Sequence, residues 1–401
     1  MRAVGAVLIE GPKACGKTAT ASQVAATTFE MDEDDTARAS IELNPEYLFS
    51  RATPILFDEW QVAPELWNRV RRAVDAAERR RGLYLLTGSA TPKDDATRHS
   101  GAGRFGVLRM RPMSLFESGH STGVVSLGAL LAGESQPGVD NGMTVPVLME
   151  RVVIGGWPDL LDADERDARA WLSGYLRQVI AVDIPSFVGR RDPRTLSRVL
   201  ASLARFVAQS PATRAIAADA GGERGPIAPA TIYSHLNALE RLQLLDNSDA
   251  WQPHMRSRTR LRTAATRYFV DPSIGTAALG IGSSELLSDL EAAGYYFEAL
   301  VIRDLRIYAQ RLGGRVDTWR DADDNEVDAV VTLPGGRWAA IEIKMSQRQV
   351  DKAAAGLLNF AKRVDTSKQG QPDALIVVTA TGSAGRRADG VHVTPVTALA
   401  P

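Results

Sequence analysis

The sequence predicts an α/β protein that opens on a parallel sheet, passes through a helical region and closes on a second α/β domain. Three observations carry the prediction. Residues 4–9, 54–57 and 82–86 are short apolar runs without polar alternation, as expected of parallel strands covered on both faces. Alanine-rich residues 19–26 supply a helix between the first two runs. Residues 284–378 read in order as a long helix, three strands at 315–320, 326–333 and 338–345, a helix at 347–364 and a strand at 374–378.

Its 401 residues exceed the roughly 100 to 200 of one ordinary domain. Apolar residues at 44% and charged residues at 24% give the balance of a soluble globular protein and exclude wholesale disorder. The 47 basic and 48 acidic side chains nearly cancel, so any nucleic-acid contact must come from local clusters. A single cysteine, Cys15, rules out an internal disulfide and a multi-cysteine zinc site, which suits the cytoplasm. The opening apolar run stops at Glu10, too soon for a signal peptide, and no stretch reaches the roughly 18 to 20 apolar residues that would cross a bilayer.

Directly after the first strand comes Gly11-Pro12-Lys13-Ala14-Cys15-Gly16-Lys17-Thr18, the full P-loop pattern between a strand and a helix. Backbone N–H groups from Gly11 to Ala19 would face the phosphates of ATP, with Gly11 and Gly16 permitting the tight wrap. Lys17 would bridge the outer phosphates and Thr18 would offer its hydroxyl to Mg²⁺. The alternative is a chance glycine turn, which would not supply this set of roles. The reading is therefore a P-loop NTPase domain over residues 1–118.

The run at 54–57 ends in Asp58-Glu59, the position from which a Walker B strand delivers two carboxylates beside the nucleotide. Asp58 would hold the Mg²⁺ shell and Glu59 would orient and polarise the attacking water, since phosphoryl transfer depends on positioning and charge neutralisation. Ser89, in Thr87-Gly88-Ser89 after the third strand, would sense the γ-phosphate; an ordinary strand-to-loop turn is the competing reading. Arg104, on the loop Gly101-Ala102-Gly103, is either a finger completing a neighbouring subunit's site in a homo-oligomer or a solvated loop residue. Arg69, Arg71, Arg72, Arg79, Arg80 and Arg81 read first as the solvated face of a helix.

These motifs resemble bacterial and archaeal AAA-type ATPases that carry a C-terminal domain of unknown function (domain of unknown function 4143). Beyond the P-loop, Leu56-Phe57-Asp58-Glu59 and Leu86-Thr87-Gly88-Ser89, the likeness rests on Gly103-Arg104, the segment Arg111-Pro112-Met113-Ser114-Leu115-Phe116-Glu117, and Gly155-Gly156-Trp157-Pro158. Lys13 stands where that family usually has arginine. The resemblance implies an ATPase core, a winged helix and a tail similar to PD-(D/E)XK nucleases.

Residues 119–185 are expected to form an irregular connector, 119–141, and a helix, 165–182. Residues 186–280 give helices at 196–208 and 231–245, then an extended basic stretch with Arg256, Arg258, Arg260 and Arg262 on one face, a winged-helix outline. DNA and protein surfaces are equal candidates for its partner. In the tail, 281–401, Asp328 lies on the second strand, while Glu342 and Lys344 share a face of the third by the two-residue period. Asp328 and Glu342 would hold a divalent cation, Lys344 would position water, and Glu298 would add a carboxylate from the preceding helix. A three- or five-residue connection through Pro334-Gly335-Gly336 brings Asp328 onto that face; a two- or four-residue one turns it away. The competing reading is a strand edge with solvated charges.

Overall fold

A computed structural model describes residues 1–78, 80–88, 101–134, 137–185, 192–253, 265–321 and 325–401. The chain divides into two compact units, one of residues 1–112 with 237–244 and one of residues 113–236 with 245–401.

The first unit is a five-stranded sheet. Its strands are β1 (Ala6–Glu10), β2 (Thr27–Glu30), β3 (Ile55–Asp58), β4 (Tyr84–Gly88) and β5 (Phe105–Arg109), in the order β2-β3-β4-β1-β5 and all parallel. Helices α1 (Lys17–Ser22), α2 (Asp35–Leu43), α3 (Pro45–Phe49) and α4 (Leu66–Ala76) connect them. Ala6 and Leu8 pack on one side with Phe29, Phe57, Trp60 and Tyr84, whereas Val7 and Ile9 pack on the other with Ala21, Leu56 and Leu85. Burial on both faces is why these strands show no polar alternation.

Two elements differ from expectation. The helix expected over 19–26 spans Lys17–Ser22 instead, because Ala26 and Thr27 both donate to the Pro54 carbonyl and the chain turns into β2. That strand, Thr-Thr-Phe-Glu, sits at the sheet edge with one buried residue, so it carries little apolar signal.

The second unit begins with β6 (Val125–Ser126), α5 (Leu127–Leu131), β7 (Gly138–Val139), α6 (Val145–Ile154) and α7 (Glu165–Gln178), the last continued by a π-helical turn at Val179–Asp183. Residues 119–141, expected to be irregular, thus contribute two strands and a helix. Then come α8 (Pro193–Arg205), α9 (Thr213–Gly221) and α10 (Pro229–Arg241), the last from residue 237 onward counted with the first unit. Antiparallel bridges pair Leu245 with Phe269 and Ser248 with Thr266. Arg256, Arg258, Arg260 and Arg262 lie outside the described residues, as does Arg79.

After α11 (Pro272–Leu279) the expected single helix is two, α12 (Ser283–Ser288) and α13 (Leu290–Arg311), split where Asp289 caps α13 by accepting from the Glu291 and Ala292 amides. The second sheet holds β8 (Arg315–Arg320), β9 (Glu326–Thr332), β10 (Trp338–Lys344), β11 (Ala374–Thr379), β12 (Ser383–Arg386) and β13 (His392–Pro395), ordered β7-β12-β13-β11-β10-β9-β8, with α14 (Val350–Arg363) between β10 and β11. β10, β11 and β13 run parallel; β9 and β8 are antiparallel neighbours on the other side. A last strand, β14 (Leu399–Ala400), pairs with β6 in parallel. Ala329, Val331, Ala339 and Ile341 pack with the buried face of α13, while Val330, Trp338 and Ala340 pack with Leu357 and Phe360 of α14.

Candidate nucleotide site and a second charged cluster

The P-loop bends where its backbone turns left-handed, at Ala14 (φ 61°) and Gly16 (φ 92°). Position 16 therefore favours glycine, the residue that takes this conformation without a Cβ penalty. Gly11, Pro12, Cys15 and Lys17 are buried, while Lys13, Ala14, Thr18 and Ala19 stand on the exposed rim. The Lys17 ammonium donates to the carbonyls of Gly11 at 3.1 Å and Pro12 at 2.8 Å, so it folds back over its own loop. Burial pushes its pKa down, while Cys15, Glu59 and Asp58 pull the other way. Burial raises the Cys15 thiol, which suits packing rather than reactivity.

Three strand ends meet beside this loop. Ile9 of β1 pairs with Thr87 of β4, and extending the β3–β4 register by one residue sets Asp58 beside Thr87. The Thr18 hydroxyl donates to Asp58 at 2.9 Å to Oδ1 and 3.1 Å to Oδ2, and the Thr87 hydroxyl also donates to Oδ1. A hydroxyl and a carboxylate converging at the mouth of a phosphate-binding loop are hard oxygen donors of the kind Mg²⁺ takes, so the residues fit that ion. Thr18 and Asp58 would hold it, and the ion would neutralise phosphate charge.

Glu59 follows Asp58 in the left-handed region (φ 48°), and Gln61 donates to its carboxylate. Arg104 is held within its own chain: Nε lies 2.8 Å from Asp75 Oδ1 and Nη1 donates to the Ala102 carbonyl at 3.1 Å. A finger role would require that pair to open. Ser89 lies outside the described residues; Thr87, two positions earlier, is the hydroxyl that meets Asp58. Gln61 was not singled out by the sequence pattern, because its contact with Glu59 arises only from the left-handed turn at Glu59.

In the second unit five residues, 333–337, join β9 to β10, and Ala329 pairs with Ile341. That odd connection puts Asp328 on the face of Glu342 and Lys344, one of the two outcomes the sequence left open. Lys344 Nζ lies 3.0 Å from Asp328 Oδ2 and 2.6 Å from Glu342 Oε2, and Asp328 Oδ2 also accepts from the Ile343 amide at 2.7 Å. Burial and then the Asp328 charge push Glu342 up to about 8, against the pull of Lys344. Glu298, on α13, accepts from the Tyr268 hydroxyl and is raised well above the usual carboxylate range, first by burial and then by Asp328. Glu298, Glu326, Asp328 and Tyr268 line a cavity of about 420 Å³. Among the described residues no group of three or more His, Cys, Asp or Glu side chains is arranged to hold a metal ion. Asp328, Glu342 and Lys344, grouped in the sequence reading, thus lie together, with the Lys344 ammonium between the two acids.

The buried Arg303 explains the two motifs left without a role. Its guanidinium lies 2.8 Å from Asp271 Oδ2 and 2.7 Å from Asp304 Oδ1. Asp304 accepts from the Leu115 amide at 3.0 Å, and Asp271 from the Gly156 amide at 3.0 Å. Met113 N donates to Gly156 O at 2.6 Å, and a Cβ at position 156 would overlap the Met113 carbonyl. Segments 113–117 and 155–158 are therefore a structural clasp.

Sheet order, phosphate loop and the Thr18–Asp58 pair give the first unit a P-loop NTPase-like fold. Comparison with known proteins agrees: residues 4–118 match the AAA domain family, residues 146–285 a domain of unknown function (DUF8612), and residues 293–399 another (DUF4143). An uncharacterized protein of Haemophilus influenzae is 28% identical over 190 residues, which cover 47% of this chain and 44% of that one. The match thus spans less than half of that curated relative. Among solved structures, the Walker-type ATPase of Pyrococcus abyssi aligns with a TM-score of 0.41 and 12% identity, covering 69% of this chain and 92% of that one. A RuvB variant of Thermotoga maritima aligns with a TM-score of 0.24 and 16% identity, covering 61% and 83%. Among the described residues no helix is long and apolar enough to cross a membrane.

Proposed function

We propose that the chain binds ATP with Mg²⁺ at residues 11–19 and hydrolyses it. The single observation that carries this is the meeting of the Thr18 hydroxyl with the Asp58 carboxylate at the mouth of the loop. Water bonds to the γ-phosphorus, the bond to the β–γ bridging oxygen breaks with its electron pair leaving on ADP, and the water's proton passes by way of Glu59 to inorganic phosphate. Thr18 and Asp58 would hold the magnesium ion, which would supply neutralisation of the phosphate charge. Lys17 leaves its two carbonyls for the outer phosphates, and its burial makes that anion a strong partner. Phosphate release from ATP by the purified chain, abolished in Lys17→Ala, tests the reading; turnover unchanged by that substitution ends it.

Nucleotide turnover drives a winged-helix and nuclease-like region, residues 186–401, that acts on DNA. The support is the register that gathers Asp328, Glu342 and Lys344 on one face below Glu298. A second reading is a nucleotide-dependent protein-interaction switch with the tail as inactive scaffold. What favours it is Lys344, whose ammonium pairs with both acids where a third metal ligand would be needed. Plasmid incubated with Mg²⁺ or Mn²⁺, with and without ATP, separates the two. Cleavage lost in Lys344→Ala supports the nuclease, and intact plasmid throughout supports the switch.

A further inference from the structure

Gln61 lies outside the P-loop and the carboxylate pair, yet its amide nitrogen donates to Glu59 Oε2. The backbone is shaped for that contact. Glu59 adopts the left-handed conformation, uncommon without glycine, and strained residues of this kind concentrate at functional sites. One 3₁₀ turn, Trp60–Val62, follows, closed by Val62 N to Glu59 O and Ala63 N to Trp60 O, each 3.0 Å. Trp60 is buried and packs on Trp67 with ring centroids 5.4 Å apart, which pins the turn from below. Position 61 is thereby folded back over position 59.

The other end of the amide argues against a role in packing alone. Gln61 Oε1 is buried with no hydrogen-bond partner among the described residues, lying against Gly88 at the end of β4. A structural glutamine would satisfy both its oxygen and its nitrogen, since an unpaired buried acceptor is costly. Turning the amide over would set its oxygen against the Glu59 carboxylate, so nitrogen on Glu59 is the orientation electrostatics favours. Gly88 leaves the room: a Cβ there would overlap Oε1.

We propose that Gln61 is a positioning residue for hydrolysis, holding the Glu59 carboxylate in the orientation that takes the water's proton and locating it against Gly88. This rests on the reading of the chain as an ATP hydrolase. Phosphate release and ATP affinity are measured on the full chain. Gln61→Leu removes the donor, and Gln61→Glu removes it while keeping the shape. Both should lower kcat by about 10- to 100-fold, the scale of one lost hydrogen bond to a charged group, with ATP affinity unchanged. Gly88→Ala, which displaces the amide from the opposite side, should do the same. In a Glu59→Gln background, Gln61→Leu should cost nothing further, because residues acting as one unit are not additive. Wild-type kcat in Gln61→Glu, or full additivity with Glu59→Gln, overturns the inference and leaves the hydrolase reading standing. A wild-type chain without turnover overturns both.

Discussion

The Thr18 hydroxyl reaches both oxygens of Asp58, at 2.9 and 3.1 Å, across 40 positions of sequence. Thr87 donates to the same carboxylate, so one buried acid joins the phosphate loop, β3 and β4. Asp58→Asn keeps the shape and removes the charge. Its expected signature is ATP affinity that Mg²⁺ no longer improves, since a neutral amide is a far poorer partner for a hard dication. Titrating ATP in EDTA and then in Mg²⁺ checks this. An Mg²⁺ response equal to wild type would show that Asp58 is not the ion's partner.

Glu59→Gln separates binding from chemistry. An amide cannot take the water's proton, so kcat should fall by roughly 10²- to 10⁴-fold, the usual contribution of a positioned acid or base. Binding should persist, because in the proposed reading Lys17 and the loop amides, not Glu59, would face the phosphates. Equilibrium ATP binding beside single-turnover hydrolysis reads the two separately.

Much of this site was legible in the sequence because phosphate binding needs particular residues in an unbroken order. Residues 11–18 and the pair Asp58-Glu59 satisfy that need locally. The tail was legible for another reason: the strict period of two turned the length of the 333–337 connection into a test of which face Asp328 takes. Contacts that depend on tertiary folding left no pattern. β2 is a polar edge strand, β6 and β7 are two-residue strands inside a Gly- and Ser-rich stretch, and Gln61 returns to Glu59 only through a left-handed turn. Arg303 and Asp304 sit in a helix whose spacing says nothing of Asp271 or of the amides they hold.

The charged cluster on β9 and β10 predicts how stability responds to pH. Glu342 rises from 4.5 to about 8, first through burial and then through Asp328. Between those values the folded chain holds more proton than the unfolded chain, so stability falls as pH rises through the window. Lys344 is also raised: burial lowers it, but Asp328 and Glu342 outweigh burial, and its contribution is lost only in strongly alkaline solution. With chelator present, the wild-type Tm should therefore fall more between about pH 5 and about pH 8 than that of Glu342→Gln, which cannot titrate. Parallel Tm profiles would assign the slope to other groups.

Arg303 gives the sharpest stability test. Its guanidinium is 3% exposed and held by two buried carboxylates, which raise its pKa against the opposing effect of burial. Arg303→Met keeps most of the volume but leaves Asp271 and Asp304 charged and unpaired, and breaking a buried pair in this way costs roughly 3 to 5 kcal/mol. Replacing both acids as well would not restore stability, although buried ion pairs can often be exchanged for apolar groups. Asp304 holds the Leu115 amide, and Asp271 holds those of Gly156 and Ser273, so the triple variant would strand three backbone donors. Chemical denaturation should thus rank wild type above both variants. A triple variant as stable as wild type would mean that the clasp at 113–117 and 155–158 is held by packing instead of these carboxylates.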